Sequence, residues 1–218
     1  MPAFYRSTIG KKLLMAVSGV ILVGYLLTHV VANLLVFTSV DALDAYAEFI
    51  KSKPFVLWPA RAVLLLAAVV HIVAAAQVTL RNRAARPVGY RRHSPQASTW
   101  ASRSMRIGGV ILLVFIVLHI LHFTTGTLHP SSPNFEPEHV TANVIAGFQN
   151  IWVVLGYLIA VAALGLHLLH GLWSSSRTLG VKPESVAPQR RPLALAVAGF
   201  LWLGFTVIPL AVYFGLVG

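Results

Sequence analysis

Residues 151–173 read IWVVLGYLIAVAALGLHLLHGLW, an apolar run without a single Asp, Glu, Lys or Arg. At about 1.5 Å of rise per residue, a helix of this length crosses the ~30 Å hydrocarbon core of a bilayer. Only helices and closed barrels satisfy their backbone polar groups in lipid, and a run this long without apolar–polar alternation is a helix rather than a barrel strand. Four more such runs occupy residues 13–37, 55–80, 107–125 and 193–217, and none of the five contains Asp or Glu. Composition agrees, with 57% of the 218 residues hydrophobic and 11% charged. The expected fold is all-α: an integral membrane bundle of five transmembrane helices forming one domain over residues 1–218.

The run at 13–37 follows Arg6, Lys11 and Lys12, as a secretory signal would, but it exceeds the roughly 7–15 apolar residues of a signal and is read as a span. Lys and Arg are distributed unevenly over the connections. Fourteen of the seventeen fall at the N-terminus, after span two (Arg81, Arg83, Arg86, Arg91, Arg92, Arg103, Arg106) and after span four (Arg177, Lys182, Arg190, Arg191). The other side holds Lys51, Lys53 and Arg61 with five of the six acids. Positive charge marks the inner side, so the N-terminus is expected inside and the C-terminus outside. The formal charge of +11 thus belongs to topology and to lipid or partner contacts, and nucleic acid is not an expected partner.

Between spans one and two, residues 41–52 place Leu43, Tyr46, Ala47 and Ile50 on one face, with Asp41 as N-cap and Pro54 as terminator. This predicts a short interfacial helix on the outer side. The basic segment 83–103, with Pro87 and Pro95, is expected inside as a lipid-facing tether or docking surface, and the proline-rich stretch 129–139 is expected as an extended outer loop. The chain has no Cys, which excludes disulfides, cysteine-ligated iron–sulfur clusters and haem attached through C-x-x-C-H.

Histidine remains as the ligand. Six of nine lie in spans: His29, His71, His119, His122, His167 and His170. Any one of them alone could be a neutral imidazole bonded to a neighbouring helix, but ionisable groups are costly in a bilayer core and four spans carry them. Counting along the helices puts His29 about 6 Å beyond mid-membrane on the outer half and His71 about 5 Å into the inner half. His119 is again outer and His167 inner. Two pairs result, each drawn from two helices, as a bis-histidine haem inside a four-helix core requires. His122 and His170 follow the other two by one turn and compete with them as ligands, the loser being a propionate or quinone contact. Gly19, Gly24, Gly108, Gly109, Gly165 and Gly171 permit close packing at these levels. Cations for propionates abound inside, whereas the outer side offers Lys51, Lys53, Arg61, His122 and His129.

The segments Thr28-His-Val-Val-Ala-Asn33, Arg106 with His119 thirteen residues later, and His167-Leu-Leu-His-Gly-Leu-Trp-Ser174 followed by Thr178-Leu-Gly180 resemble the single-polypeptide diheme cytochrome b558 subunits of succinate dehydrogenase and fumarate reductase. The resemblance spans all five helices. It implies two haem b groups, one ligated by His29 and His119 and the other by His71 and His167, with no ligand on span five. It favours His119 for its spacing from Arg106, and His167 because some relatives have Asn before the glycine at 171. It further implies a bacterial cytoplasmic membrane, a flavoprotein and an iron–sulfur subunit on the cytoplasmic face, and electron transfer through both haems to menaquinone, in a complex that can form higher oligomers. The chain alone would not oxidise succinate.

A quinone pocket needs an apolar cleft and one or two polar groups, and near the outer haem the candidates are Asn33, Glu48, Thr124, Gln149 and Asn150. Some diheme relatives carry a span carboxylate two residues before the inner ligand, where this chain has Gly165, so no side-chain proton path across the membrane is expected. The alternatives are a diheme cytochrome b of a formate dehydrogenase or hydrogenase and a non-redox transporter; repeats and broken helices typical of transporters are not visible, Pro209 being the clear kink candidate.

Overall fold

The computed structural model describes residues 2–39, 41–85, 99–132, 135–181 and 190–217. Among these there are helices and no strands: α1 (Pro2–Arg6), α2 (Thr8–Leu34, extended by a 3-10 turn Leu35–Phe37), α3 (Ala42–Lys51), α4 (Pro54–Ala84), α5 (Trp100–Phe123), α6 (Val140–Phe148), α7 (Ile151–Thr178) and α8 (Arg190–Tyr213). Five of them, α2, α4, α5, α7 and α8, are long and apolar enough to cross a membrane. Their outward faces carry bare hydrophobic side chains such as Leu65, Ile107 and Ile159, as a surface solvated by lipid requires.

Local chemistry sets where these helices begin. The Ser7 hydroxyl accepts the Gly10 N–H at 2.9 Å, and Thr99 with Ser102 forms a reciprocal capping box. Pro54 occupies the first turn of α4, where its missing N–H costs nothing. The Asn150 side chain accepts from Trp152 N at 2.9 Å. Prolines 59 and 209 lie inside α4 and α8. Arg103 over Trp100, Arg177 over Trp173 and Arg61 over Trp58 form cation–aromatic pairs near helix ends, where interfacial anchors belong.

The connections depart from expectation in three places. Asp41 holds the N-cap position of α3 but makes no capping bond, because its backbone is already helical. The carboxylate that does cap is Asp44, which accepts the Thr141 N–H at 2.8 Å and ties α3 to the start of α6. The described residues of 129–139 are not extended: His129 is buried, its Nε2 bonds the Asn143 carbonyl at 2.8 Å, and the Asn143 amide donates to the Glu136 carbonyl at 2.6 Å. Helix α6 was not foreseen; it covers this end of the bundle with Val144 and Phe148 in the core. Residues 86–98, most of the expected basic tether, lie outside the described residues.

Packing among the spans is uneven, and the unevenness positions the site. Helix α2 lies tightly against α4 and also against α7, α5 lies tightly against α7, and α8 covers α7 and α2. The pairs α2/α5 and α4/α7 are not among the closely packed ones. The four-helix core is therefore a skewed parallelogram with two tight sides, a short diagonal through α2 and α7, and two wide sides. Lys11, counted above with the N-terminal cations, is buried: its ammonium bonds Gln77 Oε1 and lies 4.3 Å over the Tyr5 ring.

Candidate functional site

Histidine rings reach across both wide sides. His29 on α2 and His119 on α5 have ring centroids 5.9 Å apart, and His71 on α4 and His167 on α7 have theirs 6.2 Å apart. An imidazole nitrogen sits about 2 Å from a metal it binds, so two such bonds plus two ring radii give about 6 Å between centroids. Among the described residues, neither His122 nor His170 makes a ring contact with the opposite member of a pair. His122 stacks on His129 at 5.1 Å, and the ring beside His170 is Trp173 at 6.4 Å.

The two pairs lie at different levels. A Cβ added at Gly19 on α2 would sit 3.2 Å from His71 Cε1, whereas His29 stands ten residues further along the same helix. On α7, Tyr157 touches the His119 ring nitrogen at 3.2 Å, and His167 stands ten residues on. Ten residues of helix rise about 15 Å. Two independent helices thus give the same separation. The His71–His167 pair lies nearer the end of the bundle that carries the N-terminus, and the His29–His119 pair nearer the opposite end.

Each ring is held by its own surroundings. His71 Nδ1 lies 3.0 Å from the Met15 carbonyl and 3.4 Å from Ser18 Oγ. A carbonyl only accepts, so Nδ1 carries the proton and Nε2 keeps its lone pair. His29 is stacked on Tyr25 at 5.3 Å and flanked by Phe205 at 5.8 Å. The Asn33 amide donates to the His29 carbonyl at 2.7 Å and lies 3.3 Å from Nδ1. His119 Nδ1 and His122 Nδ1 share one hydroxyl, Tyr157 Oη, at 3.2 and 2.9 Å. His167 Nδ1 and His122 Nε2 are buried without a hydrogen-bond partner among the described residues.

The donor set decides which group fits. Among the described residues, no three His, Cys, Asp or Glu side chains converge. A bare zinc-type ion takes four protein or water ligands, whereas a porphyrin brings four nitrogens of its own and asks the protein for two axial ones. Two opposed imidazoles between helices that stand apart match the second case. Beside His167 lies a cavity of about 220 Å³ lined by Met105, Gly108, Ile111, Ala162 and Ala163, small and apolar for the most part.

The remaining residues named from sequence are distributed as follows. Of the six glycines, Gly19 touches the site directly; Gly165 receives the Trp202 indole, 3.1–3.5 Å from where its Cβ would be, and nothing lies within 4 Å of a Cβ at Gly24, Gly109 or Gly171. Asn33 is committed to His29 and Asn150 to its capping role, while Glu48, Thr124 and Gln149 are exposed. Tyr157, Met15 and Ser18 were missed. The signal for Tyr157 was present in the sequence: it is the lone phenol in span four, ten residues before His167.

Residues 79–207, more than half of the chain, match the family model described as succinate dehydrogenase/fumarate reductase transmembrane subunit. That match includes His119 and His167 but not His29 and His71. A second similarity runs nearly end to end: the chain is 25% identical over 203 residues to the succinate dehydrogenase cytochrome b558 subunit of Bacillus subtilis (strain 168), covering 91% of this chain and 92% of that protein. No solved structure matches. A five-span bundle matched in this way is a membrane anchor by family, and the chain belongs to the succinate dehydrogenase/fumarate reductase transmembrane subunits.

Proposed function

We propose that this anchor holds two haem b groups, one between His29 and His119 and the other between His71 and His167, and conducts electrons from an iron–sulfur subunit to menaquinone. The observation that supports it is the pair of facing histidine couples, 5.9 and 6.2 Å between centroids, on the two wide sides of the bundle and about 15 Å apart in level. His122 and His170 are assigned supporting roles. When bound, each haem supplies a one-electron carrier; the chain's own residues hold and orient it. Met15 keeps the His71 proton on Nδ1, and Tyr25 and Phe205 fix the plane of His29.

In this reading the chain is one domain in the bacterial cytoplasmic membrane with its N-terminus inside and its C-terminus outside. The His71–His167 haem lies on the cytoplasmic side, next to the iron–sulfur and flavoprotein partners, and the His29–His119 haem is outer. Quinone binds around the outer haem, drawing its polar contacts from His122 and from among Asn33, Glu48, Thr124, Gln149 and Asn150. The family assignment sets aside the formate dehydrogenase, hydrogenase and transporter alternatives.

The test is a dithionite-reduced minus oxidised spectrum with haem quantification on the purified complex. Two haems per chain are expected, and Ala in place of His29, His71, His119 or His167 removes or converts one haem each. A preparation without haem ends the proposal, and an unaffected spectrum for His167→Ala moves that ligand to His170.

A further inference from the structure

We infer that Tyr157 is a positioning residue for the outer pair, its hydroxyl accepting a hydrogen bond from His119 Nδ1–H and donating one to His122 Nδ1; this rests on His119 as a haem ligand. An imidazole that offers Nε2 to a metal carries its remaining proton on Nδ1 and needs an acceptor for it. For His71 that acceptor is the Met15 carbonyl. For His119 the polar atom at Nδ1 is Tyr157 Oη, 3.2 Å away. A phenol has one proton to donate and lone pairs to accept with. Having accepted from His119, it turns its own proton to the second neighbour, His122 Nδ1 at 2.9 Å.

The ring that carries this hydroxyl cannot swing away. Phe115 and Phe148 meet it edge-on at 4.9 Å, and Phe123 does so at 5.8 Å. Two consequences follow for two histidines one turn apart on α5. His119 is locked with its Nδ1 occupied and its other nitrogen free for the metal. His122 has its Nδ1 occupied as an acceptor, so its single proton sits on Nε2, the buried atom that lacks a partner. One hydroxyl thus serves two rings in opposite senses: with His119 as the ligand facing His29, its Nδ1–H is accepted, and His122 is left with its proton on Nε2.

The experiment compares Tyr157→Phe with the parent in the intact, haem-loaded complex, using redox titration of each haem and low-temperature EPR of the oxidised protein. Phe keeps the aromatic wall and removes only Oη. A hydrogen bond from Nδ1–H makes the imidazole a stronger donor to the oxidised iron, so its loss favours the reduced state. The reduced-to-oxidised ratio of the outer haem at a fixed potential is expected to rise roughly 2- to 10-fold, the worth of one net hydrogen bond. Its low-field EPR signal shifts, and the inner haem is unchanged. Should Tyr157→Phe not assemble, His122→Asn gives a smaller shift of the outer haem in the same direction. In the double variant the shift does not exceed that of Tyr157→Phe alone. An outer haem identical to the parent in Tyr157→Phe, or fully additive shifts, overturns the positioning role. Loss of the outer haem in His122→Asn with its retention in His119→Ala instead overturns the ligand assignment beneath it.

Discussion

Replacing Gly204 by Ala tests the close seating of span five against span one. A Cβ at Gly204 would stand 2.5 Å from Val30 Cγ2, with the Leu34 side chain 3.9 Å away. Carbon atoms rest at about 3.5–4.0 Å, so about 1 Å must be found. Val30 cannot easily give it: it is fully buried, β-branched and held to one rotamer in a helix, and Leu201 one turn away is equally enclosed. Overpacking of this kind costs about 1–3 kcal/mol. Ala also gains about 1 kcal/mol over Gly in helix propensity, which the control Gly199→Ala gains without a clash, since nothing lies within 4 Å of its Cβ. The difference between the two variants isolates the clash at about 1–3 kcal/mol, a factor of about 5 to 150 in the equilibrium. Thermal loss of the monodisperse, haem-bearing species in detergent measures it. Adding Val30→Ala to Gly204→Ala should recover part of the loss. If Gly204→Ala survives heating as well as Gly199→Ala, α8 does not pack on Val30 as described.

Gly19→Ala places a methyl 3.2 Å from His71 Cε1, so that ring must shift by a few tenths of an ångström; the inner haem spectrum should change and the outer one should not. Asp44→Ala removes the acceptor for Thr141 N–H, at a cost of about 1 kcal/mol by analogy with other caps, and limited proteolysis should cut the α3 and α6 region faster. A Cβ at Gly165 would stand 3.1 Å from Trp202 Cδ1, and the apolar runs hold no acid, so under the proposed electron path no span carboxylate stands ready to carry a companion proton. Turnover of the complex in proteoliposomes should then build a membrane potential, and turnover without one contradicts the proposal.

Most of the bundle was legible because lipid simplifies the code. Apolar length alone located five helices; the structure starts α2 five and α5 seven residues earlier because Ser7 and Thr99 cap them outside the apolar runs, while Asn150 caps α7 where its run begins. The histidine levels were legible too, since helical rise converts sequence position into depth. Neighbours across helices were not. Spacing within span three could not show that His119 and His122 share one hydroxyl, that of Tyr157 thirty-five or more residues away, or that His119 is the ring that faces His29. The bonds around His129 were hidden for a related reason: the prolines of 129–139 suggest extension, but His129 and Glu136 are tied to Asn143 on α6.

The ten-residue step shared by α2 and α7 turns as well as climbs. Ten residues fall about 80° short of three full helical turns, so a helix that shows Gly19 to one neighbour shows His29 to another about a quarter-turn round. The step is thus a ruler and a compass in one. Inserting one residue between Gly19 and His29 would swing the histidine by about 100° and abolish the outer couple. Inserting three or four would keep its bearing and lengthen the gap by about 5 Å. The distance between the two histidine couples is therefore adjustable only in whole turns, and only if α2 and α7 change together.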